Sequence, residues 1–262
     1  MRQDLLRQGE GNHVHLSDCT LRIERFDSLE STNKYCEVLD LTQVEDFSCF
    51  WALEQTAGIG QRGNHWHSAP RQNLTFSLVL HPVFLPADNQ FRLTQALALA
   101  ICDFLSPLTI HHSPCIKWPN DIYIDGRKIC GTLVSTRLVG TQIASAVCGI
   151  GLNVNQREFP DWVPNPTSIS LLTGAHYELE PLLQQLLVCI ERRYNDLKTS
   201  LDLEDEYLSH LLNLGIEASY DYQGERLRAI ITGVDPHGRL QLTASDGQSL
   251  SCGMKEIRFY LA

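Results

Sequence analysis

The sequence predicts an α+β chain in two parts: interleaved helices and strands to about residue 213, then a short all-β tail. Three observations carry this. Alternating, β-branched stretches and apolar-periodic stretches follow one another through the longer first part. Helical periodicity stops near Leu214. Beyond it, short strand-like runs are separated by Gln223-Gly224, Asp235-Pro236-His237-Gly238 and Asp246-Gly247, turn signals of the kind that join the strands of a small barrel.

The elements follow in order. The first dozen residues are polar and are expected to be loose. Strands are expected over 21–26 and 49–54. Between them Ser28-Leu29-Glu30-Ser31-Thr32-Asn33 reads as a helix start, with Ser31 or Thr32 as N-cap and the helix running toward Leu41. Residues 73–81 alternate and are rich in β-formers, so a strand is expected. Residues 91–105 are apolar on nearly every side, which predicts a buried helix. A strand over 115–124 meets a turn at Asp125-Gly126. Segments 129–138 and 142–149 form a hairpin across Val139-Gly140-Thr141. Pro181 sits in the first turn of a long amphipathic helix over 180–200, and a second helix covers 204–212. Strands are then expected over 216–222, 227–234, 239–242, 249–252 and 257–260.

Composition excludes several function classes. The chain has 262 residues, 43% apolar and 20% charged, an ordinary globular balance that argues against disorder. Its net charge of −10, with no Lys/Arg run, gives no bulk attraction for DNA or an acidic membrane. Residues 1–10 lack the apolar core of a signal peptide. The longest apolar run, 97–105, is broken by Asp103 and is too short to span a bilayer. Nine cysteines lie without metal-ligand spacing, mostly in apolar segments, and read as reduced cysteines of a cytoplasmic protein. The pairs His13/His15 and His65/His67 have no third ligand nearby, so no protein-held metal is expected.

Two motifs carry the chemistry. Gly58-Ile59-Gly60-Gln61-Arg62-Gly63 fits G-x-G-x-x-G after a strand. A dinucleotide fingerprint must open a helix, and Asn64-His65-Trp66-His67-Ser68-Ala69-Pro70 cannot carry one. What remains is a glycine loop whose backbone can approach an anion closely and which is expected to order on a ligand. Lys117-Trp118-Pro119-Asn120-Asp121, followed by Lys128 and Gly131, sets two lysines on either side of the Asp125-Gly126 turn. Tryptophan, proline, an amide and a carboxylate lie between them. That mixture suits a fixed pocket for an anionic group better than a strand that only fills a core.

Taken together, Ser31-Thr32-Asn33, the run Glu54 to Trp66, Lys117-Trp118-Pro119-Asn120-Asp121, Gly126-Arg127-Lys128-Ile129-Cys130-Gly131 and Gly149-Ile150-Gly151-Leu152-Asn153-Val154 resemble biotin protein ligase in order and spacing, from about residue 28 to 155. The resemblance implies a mixed, mostly antiparallel sheet with helices, similar to class II aminoacyl-tRNA synthetases, over 1–213, and an SH3-like β-barrel over 214–262. It implies ATP and biotin as substrates, Mg²⁺ arriving with ATP, and a biotin carboxyl carrier protein or carboxylase subunit as partner. Biotin's carboxylate attacks the α-phosphorus to give biotinyl-5'-AMP, and a carrier lysine then displaces AMP.

By the same resemblance Ser31, Thr32 and Gln55 hydrogen-bond the ureido ring, and Asn33 belongs with them. Gly58, Gly60, Gln61, Arg62 and Gly63 form the loop over the carboxylate and adenylate, with Arg62 on phosphate. Trp66 stacks on adenine. Lys128 bridges carboxylate and α-phosphate, Lys117 and Asp121 line the same site, and Asn120, Gly131 and Asn153 complete the ligand shell. One departure stands out. Ile59 occupies the position of a family arginine, which leaves adenylate less well held unless Arg62 or Arg71 fills in. Arg258, in an approximate version of the family's end motif, receives no role. The first block begins near residue 28, which leaves no expectation of a DNA-binding domain. An exposed sheet edge makes a homodimer possible. Two rivals remain open: a lipoate ligase or octanoyl transferase of the same superfamily, the latter with Cys115, Cys130 or Cys148 as nucleophile, and a biotin-binding module without catalysis.

Overall fold

The computed structural model describes residues 10–15, 20–199, 201–254 and 256–260. An eight-stranded sheet forms its centre, in the order β1-β2-β3-β4-β8-β7-β6-β5. Its strands are β1 (Glu10–His15), β2 (Thr20–Phe26), β3 (Ser48–Ala52), β4 (Leu74–Leu80), β5 (Cys115–Lys117), β6 (Asp121–Ile124), β7 (Arg127–Val139) and β8 (Gln142–Leu152). The β2–β3 pair is parallel and the other pairs of this sheet are antiparallel. The sheet is therefore mixed and mostly antiparallel, as expected, and the β7–β8 hairpin falls where Val139-Gly140-Thr141 places it.

Helices α1 (Thr32–Glu37), α2 (Phe91–Leu105), α3 (Ile169–Thr173), α4 (Leu179–Lys198) and α5 (Glu204–Ser209) accompany the sheet. Helix α2 packs against α4, and its Leu97, Ala98, Leu99 and Ile101 are wholly buried, as its apolar composition requires. Strands β9 (Glu217–Tyr222), β10 (Glu225–Val234), β11 (Leu240–Ala244), β12 (Ser249–Cys252) and β13 (Ile257–Phe259) form a second, antiparallel sheet in the order β12-β11-β10-β9-β13. Its inner residues Ala229, Ile231, Leu240 and Leu242 belong to the same apolar core as α2 and the large sheet. A Cβ on Gly238 would lie 2.4 Å from the Phe91 ring, so the β10–β11 turn touches α2 directly.

Three expectations change. Residues 10–15 are not loose but form β1, paired with β2; residues 1–9 lie outside the described residues. The helix begun at Ser31 stops at Glu37, and a 3₁₀ turn, Leu41–Gln43, follows it. The strand expected over 115–124 is two strands. Pro119 has no N–H for a ladder, and the chain reverses at Trp118-Pro119-Asn120, with a cis Trp118–Pro119 bond, so that Lys117 faces Asp121 across a hairpin. The last position of the helix expected over 180–200 lies outside the described residues; α4 is seen from Leu179 to Lys198.

Candidate active site

A cavity of about 780 Å³ opens at the middle of the large sheet. The floor is glycine. Gly149 and Gly151 alternate on β8, so both present one face. Gly131 faces Gly151 across β7–β8. A Cβ on Gly149 would stand 2.0 Å from Asn33 Oδ1, and one on Gly151 would stand 2.3 Å from the Trp66 indole. A Cβ on Gly131 would crowd both Lys128 and Trp66 at 3.1–3.2 Å. Each missing side chain is replaced by a side chain from another element.

One end is neutral and polar. Ser31, the N-cap of α1, Thr32 and Asn33 are buried against the sheet. Gln55 Oε1 accepts from the Thr32 amide at 2.7 Å and lies 3.2 Å from its hydroxyl. Ser77 Oγ lies 2.8 Å from Thr32 Oγ1 and 2.5 Å from Asn33 Oδ1. Asn33 Nδ2 and Thr132 Oγ1 are buried without a protein partner among the described residues. A buried donor of this kind costs roughly 1–3 kcal/mol unless a ligand satisfies it.

The other end is cationic. Lys128 Nζ holds Asp121 Oδ1 at 2.7 Å, and both side chains are about three-quarters buried. The Lys128 backbone is gripped on both sides: its N–H donates to Asn165 O and its carbonyl accepts from Thr167 N–H. Lys117 faces Asp121 in register on the neighbouring strand. Burial lowers the Lys117 pKa; Asp121 opposes that shift and Lys128 reinforces it. Two ammonium groups thus share one carboxylate, which leaves net positive charge facing the cavity. Trp66 lies between the two ends, its ring centroid 5.6 Å from Lys128 Nζ and its Nε1 buried without a partner among the described residues.

Within Lys117-Trp118-Pro119-Asn120-Asp121 the middle three residues are anchors. Trp118 Nε1 donates to Gly238 O at 3.0 Å, Pro119 O accepts from Tyr207 Oη at 2.8 Å, and Asn120 Nδ2 donates to Thr132 O. The turn is tied to three elements, and it presents its flanking lysine and aspartate to the cavity with both charged groups held in place. The glycine loop is a closed hairpin: Gly60 N–H donates to Asn64 O, Trp66 N–H donates to Gly58 O, and Ile59 bridges His65. Gly58 must be glycine there, since a Cβ would meet Trp66 O at 2.6 Å.

Ser31, Thr32, Asn33, Gln55, Gly60, Gln61, Trp66, Lys117, Asn120, Asp121, Lys128 and Gly131 therefore meet in one cavity. Gly58, Gly63 and Asn153 do not line it. Asn153 Nδ2 donates to Thr167 O, so it holds the strap that grips Lys128. The Arg62 side chain lies outside the described residues. Arg71 does not fill in for Ile59: its guanidinium pairs with Asp27 at 2.8 Å, away from the cavity. Cys130 and Cys148 are wholly buried, Cys115 is half-buried, and burial pushes all three thiols up, which leaves no ready thiolate. Sequence reasoning missed Thr132 and the contribution of Met254, Ile257, Arg258 and Phe259 from the second sheet. The alternation of Gly149 and Gly151 was the one available signal for the floor.

Comparison with known proteins places the chain in a family. A profile of the biotin/lipoate A/B protein ligase family matches residues 25–153. The bifunctional ligase/repressor BirA of Bacillus subtilis is 30% identical over 226 residues, covering 84% of this chain and 69% of the relative. The biotin--[acetyl-CoA-carboxylase] ligase of Mycobacterium tuberculosis is 30% identical over 199 residues, covering 73% of this chain and 71% of the relative. Among solved structures, the biotin protein ligase of Aquifex aeolicus in complex with biotin and ATP superposes with a TM-score of 0.75 at 24% identity, over 92% of this chain and 99% of that one. The chain belongs to the biotin/lipoate A/B protein ligase family, among its biotin protein ligases.

Proposed function

We propose that this chain uses ATP to attach biotin to a lysine of a biotin carboxyl carrier domain, through biotinyl-5'-AMP. The observation that carries the proposal is a single cavity in which a neutral polar pocket adjoins two lysines. Ser31, Thr32, Asn33 and Gln55 suit an uncharged cyclic urea, which offers one carbonyl and two N–H groups. Lys128 and Lys117 suit the acyl-phosphate end. In the first step a biotin carboxylate oxygen bonds to the α-phosphorus and the bond to pyrophosphate breaks. In the second the carrier amine bonds to the acyl carbon, the bond to AMP breaks, and the amine sheds a proton. Charge builds on oxygen in both steps, and preorganised cations lower both barriers. Asp121 Oδ1 fixes Lys128, and its other oxygen can take the proton from the amine. Trp66 offers a flat face for adenine.

Mg²⁺ would come with the triphosphate and neutralise its charge. Asp121 is the only described carboxylate facing the cavity, and it is committed to Lys128, so the protein supplies no cage and no step is routed through the metal. The likeness to class II aminoacyl-tRNA synthetases, the SH3-like form of the second sheet and a division near residue 213 are part of the same proposal. They are supported by the two separate sheets. A cytoplasmic place is supported by eight described cysteines, all free. Absence of DNA binding is supported by the net charge of −10. A homodimer is supported by β1, which stands at the edge of the large sheet among the described strands. Biotin-dependent ATP–pyrophosphate exchange tests the first step, and transfer of biotin to a purified carrier domain tests the second; no exchange would end the proposal.

A further inference from the structure

The Lys117 ammonium forms no ion pair or hydrogen bond with a described residue. Instead its ammonium stands between two rings, 5.8 Å from the centroid of Tyr123 and 5.1 Å from that of Phe259. Both distances are within the roughly 6 Å reach of a cation–π contact. Tyr123 shares the β5–β6 hairpin with Lys117. Phe259 does not; it comes from β13, at the end of the second sheet. There it is fixed by pairing with Tyr220 in the β9–β13 ladder and by an edge contact with the buried Tyr220 ring, with centroids 5.2 Å apart at 85°. Asp121 is drawn to Lys128 at 2.7 Å, so the carboxylate nearest Lys117 is already engaged.

We infer that Phe259 is a positioning residue for Lys117: the second sheet holds this ammonium charged and aimed into the cavity, without a direct ion pair of its own. The inference rests on the adenylation reading. Burial and the neighbouring Lys128 both press this ammonium to lose its proton, and Asp121, engaged by Lys128, opposes them only in part. Two ring faces favour the charged form without neutralising it, so its full charge is left for an anionic ligand. The ring, and not its bulk alone, does this. Phe259→Leu keeps most of the apolar volume and removes the quadrupole, whereas Phe259→Tyr keeps the ring.

The test combines kinetics with a probe that needs no activity. Phe259→Leu is expected to lower kcat of pyrophosphate exchange by about tenfold, between the exposed and the desolvated limits of a cation–π contact, with KM for biotin unchanged. Phe259→Tyr retains the wild-type rate. In a Lys117→Met background Phe259→Leu has no further effect. Separately, lysines are reductively methylated with ¹³C-formaldehyde, and the Lys117 methyl signal is assigned by its loss in Lys117→Arg. That signal is expected upfield of the other lysines through ring currents, and Phe259→Leu moves it back toward them. An unshifted Lys117 signal, or additive effects of the two substitutions, overturns the inference. Wild type without exchange but with the shifted signal overturns the adenylation reading and leaves the Phe259–Lys117 contact standing.

Discussion

Two glycines on one strand separate the two ends of the site, and a methyl group added to either is a local probe. In Gly149→Ala the new Cβ meets Asn33 Oδ1 at 2.0 Å. Asn33 must shift, and the 2.5 Å contact with Ser77 breaks. In Gly151→Ala the Cβ meets the Trp66 indole at 2.3 Å, and the ring must lift from the β7–β8 floor. Neither clash involves a flexible chain end, since Asn33 is buried at the start of α1 and Trp66 is held by the Gly58 carbonyl. Overpacking of this kind costs about 1–3 kcal/mol, which corresponds to roughly 5- to 150-fold in affinity. Gly149→Ala should therefore weaken biotin binding within that range and leave ATP binding within about threefold. Gly151→Ala should do the reverse. Calorimetric titration of each variant with each ligand reads the four values, and thermal melts confirm folding. If both substitutions weaken the same ligand equally, the assignment of a biotin end at Asn33 and a nucleotide end at Trp66 is wrong.

Other perturbations address the cations and the loop. Lys128→Ala should cut pyrophosphate release by about 10²–10³-fold, the usual cost of losing one preorganised charge, while biotin still binds. Its partly exposed ion pair with Asp121 contributes at most about 1 kcal/mol to stability, so the melting temperature should fall by no more than about 4 °C; near-normal release would mislocate the electrophile. Lys117 titrates below the ordinary lysine value of 10.5, so its ammonium is present below that lowered value and is lost as pH rises through it. Activity should decline on the alkaline side at a lower pH than for an exposed lysine, and Lys117→Arg should move that limb upward; in the same window the unfolded chain binds more protons, so stability rises with pH. Ile59→Arg should slow escape of biotinyl-5'-AMP, and unchanged off-rates would place position 59 away from the adenylate. Proteolysis within residues 58–64 should slow on adding biotin and ATP, and equal cleavage would argue against ordering of the hairpin by ligand.

The sheet and its hairpin were legible because local signals fix them. Alternation in 73–81, the turn at Val139-Gly140-Thr141, apolar saturation in 91–105 and glycine turns beyond 214 all act within a few residues. The break of the expected 115–124 strand was also locally encoded, by Pro119, but the lysine–aspartate pairing it creates needs the reversed chain to be seen. The contact of β13 with the cavity was not legible at all. Arg258 and Phe259 line it from the second sheet, whose docking includes Gly238 on Phe91 and the bond from Trp118 Nε1 to the Gly238 carbonyl. Long-range docking of that sort leaves no period or spacing in the chain. The resemblance to biotin protein ligase places Asn153 among the ligand residues. Asn153 stands one residue beyond the β8 terminus at Leu152, and its side chain turns instead to Thr167, 14 residues further along the chain.

The site exists because the large sheet lacks side chains where its strands are otherwise most tightly packed. β8 is buried along nearly its whole length, and in such a strand β-branched residues are expected on both faces. Glycine at 149 and 151 weakens the strand. The sheet tolerates this because Asn33 and Trp66 occupy the space a Cβ would need. Those two side chains leave polar atoms, Nδ2 and Nε1, buried without protein partners among the described residues. The same substitution that empties the sheet surface thus places two buried donors on it, one in the neutral end and one on the side toward Lys128. A folding cost borne by the central strand becomes binding capacity, and this is why restoring a single methyl group at either glycine should remove one ligand and spare the other.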